Sequence, residues 1–440
     1  MVLGTDNRVL TLGIARMADA LGNSFLIIVL PLYIESGQID LDGIVGTQLF
    51  GVELTTALLV GLVLSLFGFL NSFGQPLTGR FSDRVGKRRA FVLFGLGLFG
   101  VASSLYPFVE QYELVLLIRA LQGLGAAFTI PATVALVNEF AASNTERGGN
   151  FGVFNTFRLI GFGFGPIVAG IVVSSGPYAT PWGGLSGFNA AFGVAVLGAI
   201  VSFALVTLLI EDPPRTESDA SDDVSFRVFD RSGNLLFDPV FTLGVGTLFM
   251  ATTIALFATL QQDITRELSE GSFLFSVQFA AVVIANVVFQ VPIGRASDEY
   301  GRRPFIVAGF ALLVPSVFLQ GYVPAIATAL TGGETLFGPI AMLLLRLLQG
   351  VAVALVFAPS LALAGDLAGR GRSGTTLSVL TTAFGLGVAI GPLAAGYFVR
   401  FGFAAPFTFG AAIAAVALVL VYSQVEDTIT STATGPAPHD

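Results

Sequence analysis

Twelve long apolar runs divide this sequence, six before and six after an acidic segment at residues 211–238. A helix that crosses a lipid bilayer needs about 20 predominantly apolar residues. The runs fall at residues 9–34, 54–79, 89–109, 112–138, 149–175 and 187–210, and then at 239–261, 272–294, 304–323, 338–364, 374–399 and 402–424. The sequence therefore predicts an all-α membrane protein with twelve transmembrane helices.

The composition excludes several classes of chemistry. Only 11% of the residues are charged, whereas a soluble domain carries roughly 25%. There is no cysteine, and the only histidine is His439 near the end of the chain, so thiolate metal sites and histidine-based acid–base catalysis are not available. The single lysine, Lys87, does not belong to a phosphate-binding loop motif. We therefore expect neither an enzyme nor an ATP-driven pump, with no cofactor, no bound metal and no nucleic-acid partner.

A basic loop motif occurs twice, once after the second apolar run of each half. The first copy spans residues 79–89 and the second spans residues 294–303. A duplicated motif in matching positions indicates an internal repeat, which fixes the architecture. The two halves are therefore predicted to be pseudo-symmetric bundles of six helices. Further paired positions are Asn71 with Asn286, Gln75 with Gln290, Arg119 with Arg346, Gln122 with Gln349, and Gly165-Pro166 with Gly391-Pro392.

The repeat and the charge pattern predict the domain organisation and the orientation. We expect an N-terminal bundle at residues 1–210, a cytoplasmic acidic linker at 211–238, a C-terminal bundle at 239–424 and a cytoplasmic tail at 425–440. Basic residues collect in cytoplasmic loops of membrane proteins, and with the N-terminus inside, the predicted outer loops contain only Arg266 and Arg400. Both termini are therefore predicted to be cytoplasmic, in a multi-pass protein of the plasma membrane.

Three motifs together resemble the major facilitator superfamily. Its loop motif between spans two and three is met by Gly79, Asp83, Arg84, Gly86, Lys87, Arg88 and Arg89, and the second copy keeps Gly294, Asp298, Gly301, Arg302 and Arg303. Its fourth-span arginine motif is met by Arg119, Gln122, Gly123 and Gly125. Its fifth-span antiporter motif is met by Gly161, Gly165, Pro166 and Gly170, although Ala169 replaces one glycine. The resemblance is to the proton-coupled drug and solute antiporters, and it implies two bundles around a central cavity that opens alternately to each side.

The loop motif has two possible roles. Asp83 lies just past the inner end of the second span, where it can accept hydrogen bonds from the start of the next helix or pair with arginines of the facing bundle. Such a pair would close the inner mouth, which is the gating role that the resemblance favours. The alternative is a tight turn whose basic residues only set the topology. The fifth-span glycines likewise allow either simple close packing or a specific role in exchange.

Charged side chains inside membrane spans are costly and mark candidate functional sites. They are Arg16 and Asp19 in span one, Arg119 in span four, Arg158 in span five and Arg346 in span ten. Asp19, with Asn23 one turn away, is a candidate proton carrier or substrate contact; the alternative is a local ion pair with Arg16. Arg119 either contributes to proton coupling, as the resemblance implies, or extends to the interface. Arg158 needs a partner, and Asp19 is the predicted one.

Three functions are compatible with the sequence. The leading one is efflux of a small organic solute in exchange for a coupling ion, H⁺ or Na⁺. The second is cation-coupled import of a sugar, organic acid or other nutrient, and the third is a membrane receptor or scaffold without transport. We expect a monomer in the lipid bilayer. The excess of acids over bases, eight charges with arginine as almost the only base, resembles proteins of salt-loving organisms and indicates a halophilic archaeon.

Overall fold

The computed structural model describes residues 6–140, 144–181, 183–212, 229, 236–332, 336–367 and 373–427. Most of the predicted linker and the tail after residue 427 lie outside these residues, so the predicted domain boundaries stay predictions. Twelve helices of the described part are long and apolar enough to cross a membrane. The prediction of an all-α membrane fold with twelve transmembrane helices is therefore confirmed.

The transmembrane helices follow the apolar runs closely. Those of the first half are α1 (Asn7–Glu35), α2 (Thr56–Val85), α3 (Arg88–Leu105), α4 (Tyr112–Glu139), α5 (Asn144–Ser175) and α6 (Gly187–Leu209). Those of the second half are α7 (Pro239–Thr259), α9 (Ser272–Tyr300), α10 (Arg302–Gln320), α12 (Phe337–Leu367), α13 (Ser373–Phe398) and α14 (Ala405–Gln424). Two short helices, α8 (Gln261–Glu267) and α11 (Val323–Thr331), were not predicted.

Two strand pairs were also not predicted, β1 (Gln48–Leu49) with β2 (Val52–Glu53), and β3 (Tyr178–Thr180) with β4 (Gly183–Leu185). The helix α2 continues six residues past the predicted end at residue 79. It stops at Gly86, which has a left-handed conformation with φ of 67°, and glycine adopts this conformation at little cost.

Each half packs as a bundle with the same internal order. In the first bundle α1 packs along α5 and α6, while α4 packs against α2 and α3. In the second bundle α7 packs along α13 and α14, while α12 packs against α9 and α10. These are equivalent pairs under the sequence repeat, so the two six-helix bundles are pseudo-symmetric, as predicted.

An even number of crossings places Asp6 and Asp427, the first and last described residues, on one face of the molecule. We call this face the terminal side, and the opposite face the distal side. One hydrophobic core joins the two bundles on the distal side, with Phe25, Leu59 and Phe192 from the first bundle and Phe257 and Phe275 from the second. On the terminal side each bundle has a separate core. The bundles therefore meet on the distal side and leave a cleft between them that opens to the terminal side.

Candidate functional site

The bundle boundary is closed by contacts between helix backbones. A Cβ atom at Gly61 of α2 would lie 2.5 Å from the carbonyl oxygen of Pro392 in α13, and one at Gly170 of α5 would lie 2.6 Å from Ser276 Oγ in α9. In the contact between α2 and α13, Ser72 lies beside Gly385 at the end that is nearer the terminal side. Small residues permit this approach, so the distal half of the cleft is sealed by two helix pairs.

The fifth-span glycines serve two different contacts. Gly161 and Gly165 face α1, where a Cβ would collide with the carbonyl oxygens of Met17 and Leu21. Gly170 faces the other bundle, as described above. Pro166 lies inside α5 between these contacts. The antiporter-type motif therefore places α5 against α1 in its own bundle and against α9 across the boundary.

The polar face of α5 carries Arg158. The Nε atom of Arg158 donates to Asn155 Oδ1 at 2.9 Å. The opposite face carries exposed apolar side chains, Ile160, Phe164 and Ile171, which is the expected lipid contact. Because α1 and α9 flank the remaining face, Arg158 and Asn155 lie on the side of α5 that borders the cleft.

Asp19 forms an ion pair with Arg16 on the same helix. Asp19 is 7% exposed and lines a small cavity between α1, α3, α4 and α6, together with Thr129 and Thr133. This is the local pair weighed as the alternative, and the predicted pairing of Asp19 with Arg158 is wrong. The reason is geometric, since Arg16 lies one turn from Asp19 while Arg158 finds Asn155 on its own helix. Asn23 has a buried Oδ1 atom without a hydrogen-bond partner among the described residues.

Arg119 is buried in the first bundle without a carboxylate among its described contacts. Its Nη1 donates to Gln122 Oε1 at 3.0 Å and its Nε to the carbonyl oxygen of Val63 at 3.4 Å. Its guanidinium also stacks over the ring of Phe67, 4.7 Å from the centroid, and the Tyr106 hydroxyl shares Gln122 Oε1. Since Arg119 is only 2% exposed, it does not extend to the interface.

Arg346 repeats this arrangement in the second bundle. Its Nη1 donates to Gln349 Oε1 at 2.7 Å and its Nε to the carbonyl oxygen of Gln278 at 3.2 Å. The guanidinium lies 4.0 Å from the ring centroid of Phe257, and Gln320 also donates to Gln349 Oε1. Gln278 occupies the repeat position of Val63, so the second bundle has a polar side chain where the first has an apolar one.

The two loop motifs form matching ionic clusters on the terminal side. Arg88 Nη1 lies 2.5 Å from Asp83 Oδ1, and Arg88 Nε lies 2.5 Å from Glu139 Oε1. In the second bundle Arg302 pairs with Asp298 and Asp366. Each cluster ties three helices of one bundle together at their ends.

In the state described, the aspartates therefore pair with the start of the next helix, which was the first of the two predicted partners. Among the described residues Asp83 has no arginine partner in the facing bundle, and the two bundles have separate cores on this side. Of the remaining motif residues, Arg84 and Lys87 are exposed. Arg89 donates to the carbonyl oxygen of Thr207, and Arg303 to that of Tyr422. Among the glycines, Gly79 faces Pro131, Gly294 borders open space, and Gly301 has a φ of 94°.

Comparison with known proteins decides the family. Residues 12–261 and 241–437 both match the family model of the Major Facilitator Superfamily. The chain belongs to this superfamily. An uncharacterised MFS-type transporter of Methanocaldococcus jannaschii is 23% identical over 372 residues, which cover 84% of this chain and 90% of that protein. The quinolone resistance protein NorA of Staphylococcus aureus is 23% identical over 414 residues, covering 92% and 93%.

The fold is also shared with solved structures. The crystal structure of a bacterial homolog of the human lysosomal transporter Spinster superimposes with a TM-score of 0.71 at 12% identity, covering 95% of this chain and 97% of that chain. This MFS protein is therefore a multi-pass membrane transporter and not an enzyme. Within the described residues, no group of three or more Asp, Glu or His side chains is arranged to hold a metal ion.

A distal acidic region of this MFS transporter was not predicted as a site. Glu35 at the end of α1 has a buried Oε2 without a described partner, and Asp263 of α8 lies close enough to interact with it electrostatically. Asp263 pairs with Arg266 at 2.8 Å, and burial raises the pKa of Asp263 above its ordinary value. Burial also raises the pKa of Glu270 to about 7. In the sequence these residues read only as acids of outer loops.

Proposed function

We propose that this MFS transporter exports a small organic solute in exchange for protons, by exposing one cleft alternately to the two sides of the membrane. The observation that carries the proposal is the buried ion pair of Asp19 with Arg16 inside a transmembrane helix. A carboxylate at such a position must be paired or protonated, so Asp19 can exchange its arginine partner for a proton. The similarity to a quinolone resistance protein supports an organic solute as the cargo.

Solute binding is assigned to the polar side chains of α1 and α5 beside the cleft. Within the described part of the chain Arg158 donates from its Nε atom to Asn155, and its terminal nitrogens are assigned to the solute. Asn23 offers an acceptor oxygen that has no donor within the described part of the chain. Movement of Arg16 away from a protonated Asp19 would change the charge facing the same region, which supplies a physical link between proton and solute.

The ionic clusters of Asp83 and Asp298 are assigned to gating. They lie at the helix ends on the open side, so closure of that side would bring them towards the other bundle. The arginine-rich loops of the terminal side support its assignment to the cytoplasm by the positive-inside rule. In this orientation, in the plasma membrane, the described state is open to the cytoplasm and ready to receive a solute for export.

Everted membrane vesicles test the proposed exchange. A pH gradient is preset with an acidic interior and followed with a quenched dye while fluoroquinolones, cationic dyes and organic acids are added one at a time. We expect at least one compound to collapse the gradient in wild-type vesicles and not in Asp19→Asn vesicles, while Asp19→Asn still exchanges labelled solute for unlabelled solute. Asp42→Asn, which changes an exposed loop carboxylate, serves as the control. Collapse at the wild-type rate in Asp19→Asn vesicles would show that Asp19 does not carry the proton.

A further inference from the structure

Glu270 and Gln278 form an incompletely satisfied pair at the distal end of α9. The Nε2 atom of Gln278 donates to Glu270 Oε2 at 2.7 Å and to the carbonyl oxygen of Pro339 at 3.2 Å. Both hydrogens of this amide nitrogen are therefore used, and the orientation of the amide is fixed. Two oxygens of the pair, Glu270 Oε1 and Gln278 Oε1, are buried and have no donor among the described residues.

A single hydrogen would satisfy both oxygens. An ionised carboxylate and an amide oxygen are both acceptors only, whereas a protonated carboxyl group carries one donor. Leaving a buried acceptor without a donor is energetically unfavourable. Gln278 is fully buried, so its side chain has no direct contact with bulk solvent. The missing element of this pair is therefore the donor hydrogen that protonation of Glu270 would add.

We infer that Glu270 is a proton-binding site of the second bundle, in which the protonated carboxyl group donates from Oε1 to Gln278 Oε1 and closes a reciprocal hydrogen-bonded pair. The carboxyl group keeps its existing bond from Gln278 Nε2, so binding the proton adds one bond and breaks none. The pKa of Glu270, raised to about 7 by burial, agrees with this site.

The charged groups on the helices around Glu270 are consistent with a proton as its ligand. From α8, Asp263 pairs with Arg266, and Glu267 is exposed. From α1, Glu35 interacts electrostatically with Asp263 and Arg266. From α12, Arg346 donates to the backbone oxygen of Gln278, and its Nη2 has no described partner. Glu270 is thus the acid that the hydrogen bonds of Gln278 connect to a buried cation, and its protonation changes the charge balance of that network.

The position of the site connects it to the bundle boundary. Ser276 of α9, which lies between Glu270 and Gln278 in the sequence, contacts Gly170 of the first bundle. The site therefore lies on the helix segment that seals the distal side. One consequence rests on the proposed function. If the protein exchanges solute for protons, the rate of exchange should depend on the pH of the distal side around 7, through Glu270.

Infrared difference spectroscopy of the purified protein in lipid tests the site without any transport. On moving from pH 8 to pH 6 we expect the carbonyl band of a protonated carboxyl group, with a midpoint near pH 7, in the wild type and in the control Glu267→Gln. The component of the band with this midpoint should be missing in Glu270→Gln, which keeps an oxygen for the bond from Gln278. In Gln278→Leu it should move to the frequency of a carboxyl group without an acceptor.

Two results would overturn the inference. One is an unchanged band in Glu270→Gln, which would assign the proton to another residue. The other is a band in Gln278→Leu at the wild-type frequency, which would show that the amide takes no part. Because the measurement needs no solute and no gradient, its outcome is independent of whether Asp19→Asn abolishes exchange.

Discussion

At the scale of single residues, the two buried arginines are held by neutral partners. Arg119 and Arg346 each bind a glutamine three residues further along the helix, a backbone oxygen of the neighbouring helix and an aromatic ring. A cation without a carboxylate partner depends strongly on such bonds, because hydrogen bonds to charged groups are worth about 1.5 to 3 kcal/mol. Gln122 and Gln349 are therefore structural requirements of the two bundles.

Replacing Gln349 by Leu should lower the thermal stability of the protein. Arg346 Nη1 and Gln320 Nε2 both donate to Gln349 Oε1, so the change removes the acceptor of a buried guanidinium nitrogen and one of the two acceptors of the Gln320 amide, at a cost of about 2 kcal/mol or more. Gln122→Leu should cost a similar amount, since Arg119 and Tyr106 share its oxygen. Melting curves in detergent measure both, with Gln262→Leu as the exposed control. An unchanged midpoint in Gln349→Leu would contradict the assigned role.

Sequence reasoning predicted these arginines but not all their surroundings. The repeat paired Arg119 with Arg346 because the motif also contains the glutamine that binds each of them. The partner of Arg158 was predicted wrongly, because sequence alone does not give the rotation of α5 against α1. Glu270 was missed for a different reason: its partner Gln278 and its burial arise from the corner between α8 and α9, which leaves no periodic signal.

At the scale of helices, glycine positions determine how closely neighbours approach. Gly161 packs on the backbone of α1 and Gly170 on α9, so one helix holds both an internal and a boundary contact. Hydropathy predicted the twelve long helices because each is a continuous apolar run. It could not predict α8 and α11, which are 7 and 9 residues long and too short to show a run of their own.

Gly161→Ala should disturb the first bundle far more than its size suggests. The added methyl group would collide with the backbone of Met17, whose carbonyl carbon would lie 2.9 Å away, so α1 and α5 must separate. Gly193→Ala is the matched control, because a Cβ there meets nothing within 4 Å and alanine favours a helix by about 1 kcal/mol. Thermal unfolding should therefore occur earlier in Gly161→Ala, by several degrees, and unchanged or later in Gly193→Ala. Equal midpoints would mean that α1 and α5 tolerate a wider spacing.

At the scale of the whole molecule, the two bundles share one core on the distal side and have separate cores on the terminal side. The repeat predicted two equivalent bundles, and the structure confirms them. Which side is closed could not be predicted, because both arrangements use the same helices and the same sequence. That choice depends on contacts between bundles, such as Ser72 with Gly385, whose register no single-sequence pattern contains.

A reversible cross-link between the bundles should stop transport in the described state. Ser72→Cys with Gly385→Cys places two Cβ atoms 3.6 Å apart, within the range of about 3.5 to 4.5 Å for a disulfide, in a chain that has no native cysteine. Oxidation should abolish solute flux in vesicles and a reducing agent should restore it. Each single cysteine variant is a control and should not respond. Full flux in the oxidised double variant would show that α2 and α13 do not separate during the cycle.

The shared distal core also makes the two open states of the transporter unequal in free energy. Separating the bundles at that end would expose apolar surface of this shared core to water, a hydration cost that opening towards the terminal side, where the cores are already separate, does not incur. The solute-free transporter should therefore favour the state that opens to the terminal side. The free energy of solute binding must then offset the hydration cost of opening the distal side. Salts such as sulfate, which are excluded from protein surfaces and strengthen apolar association, would then lengthen the lifetime of this state and slow each transport cycle.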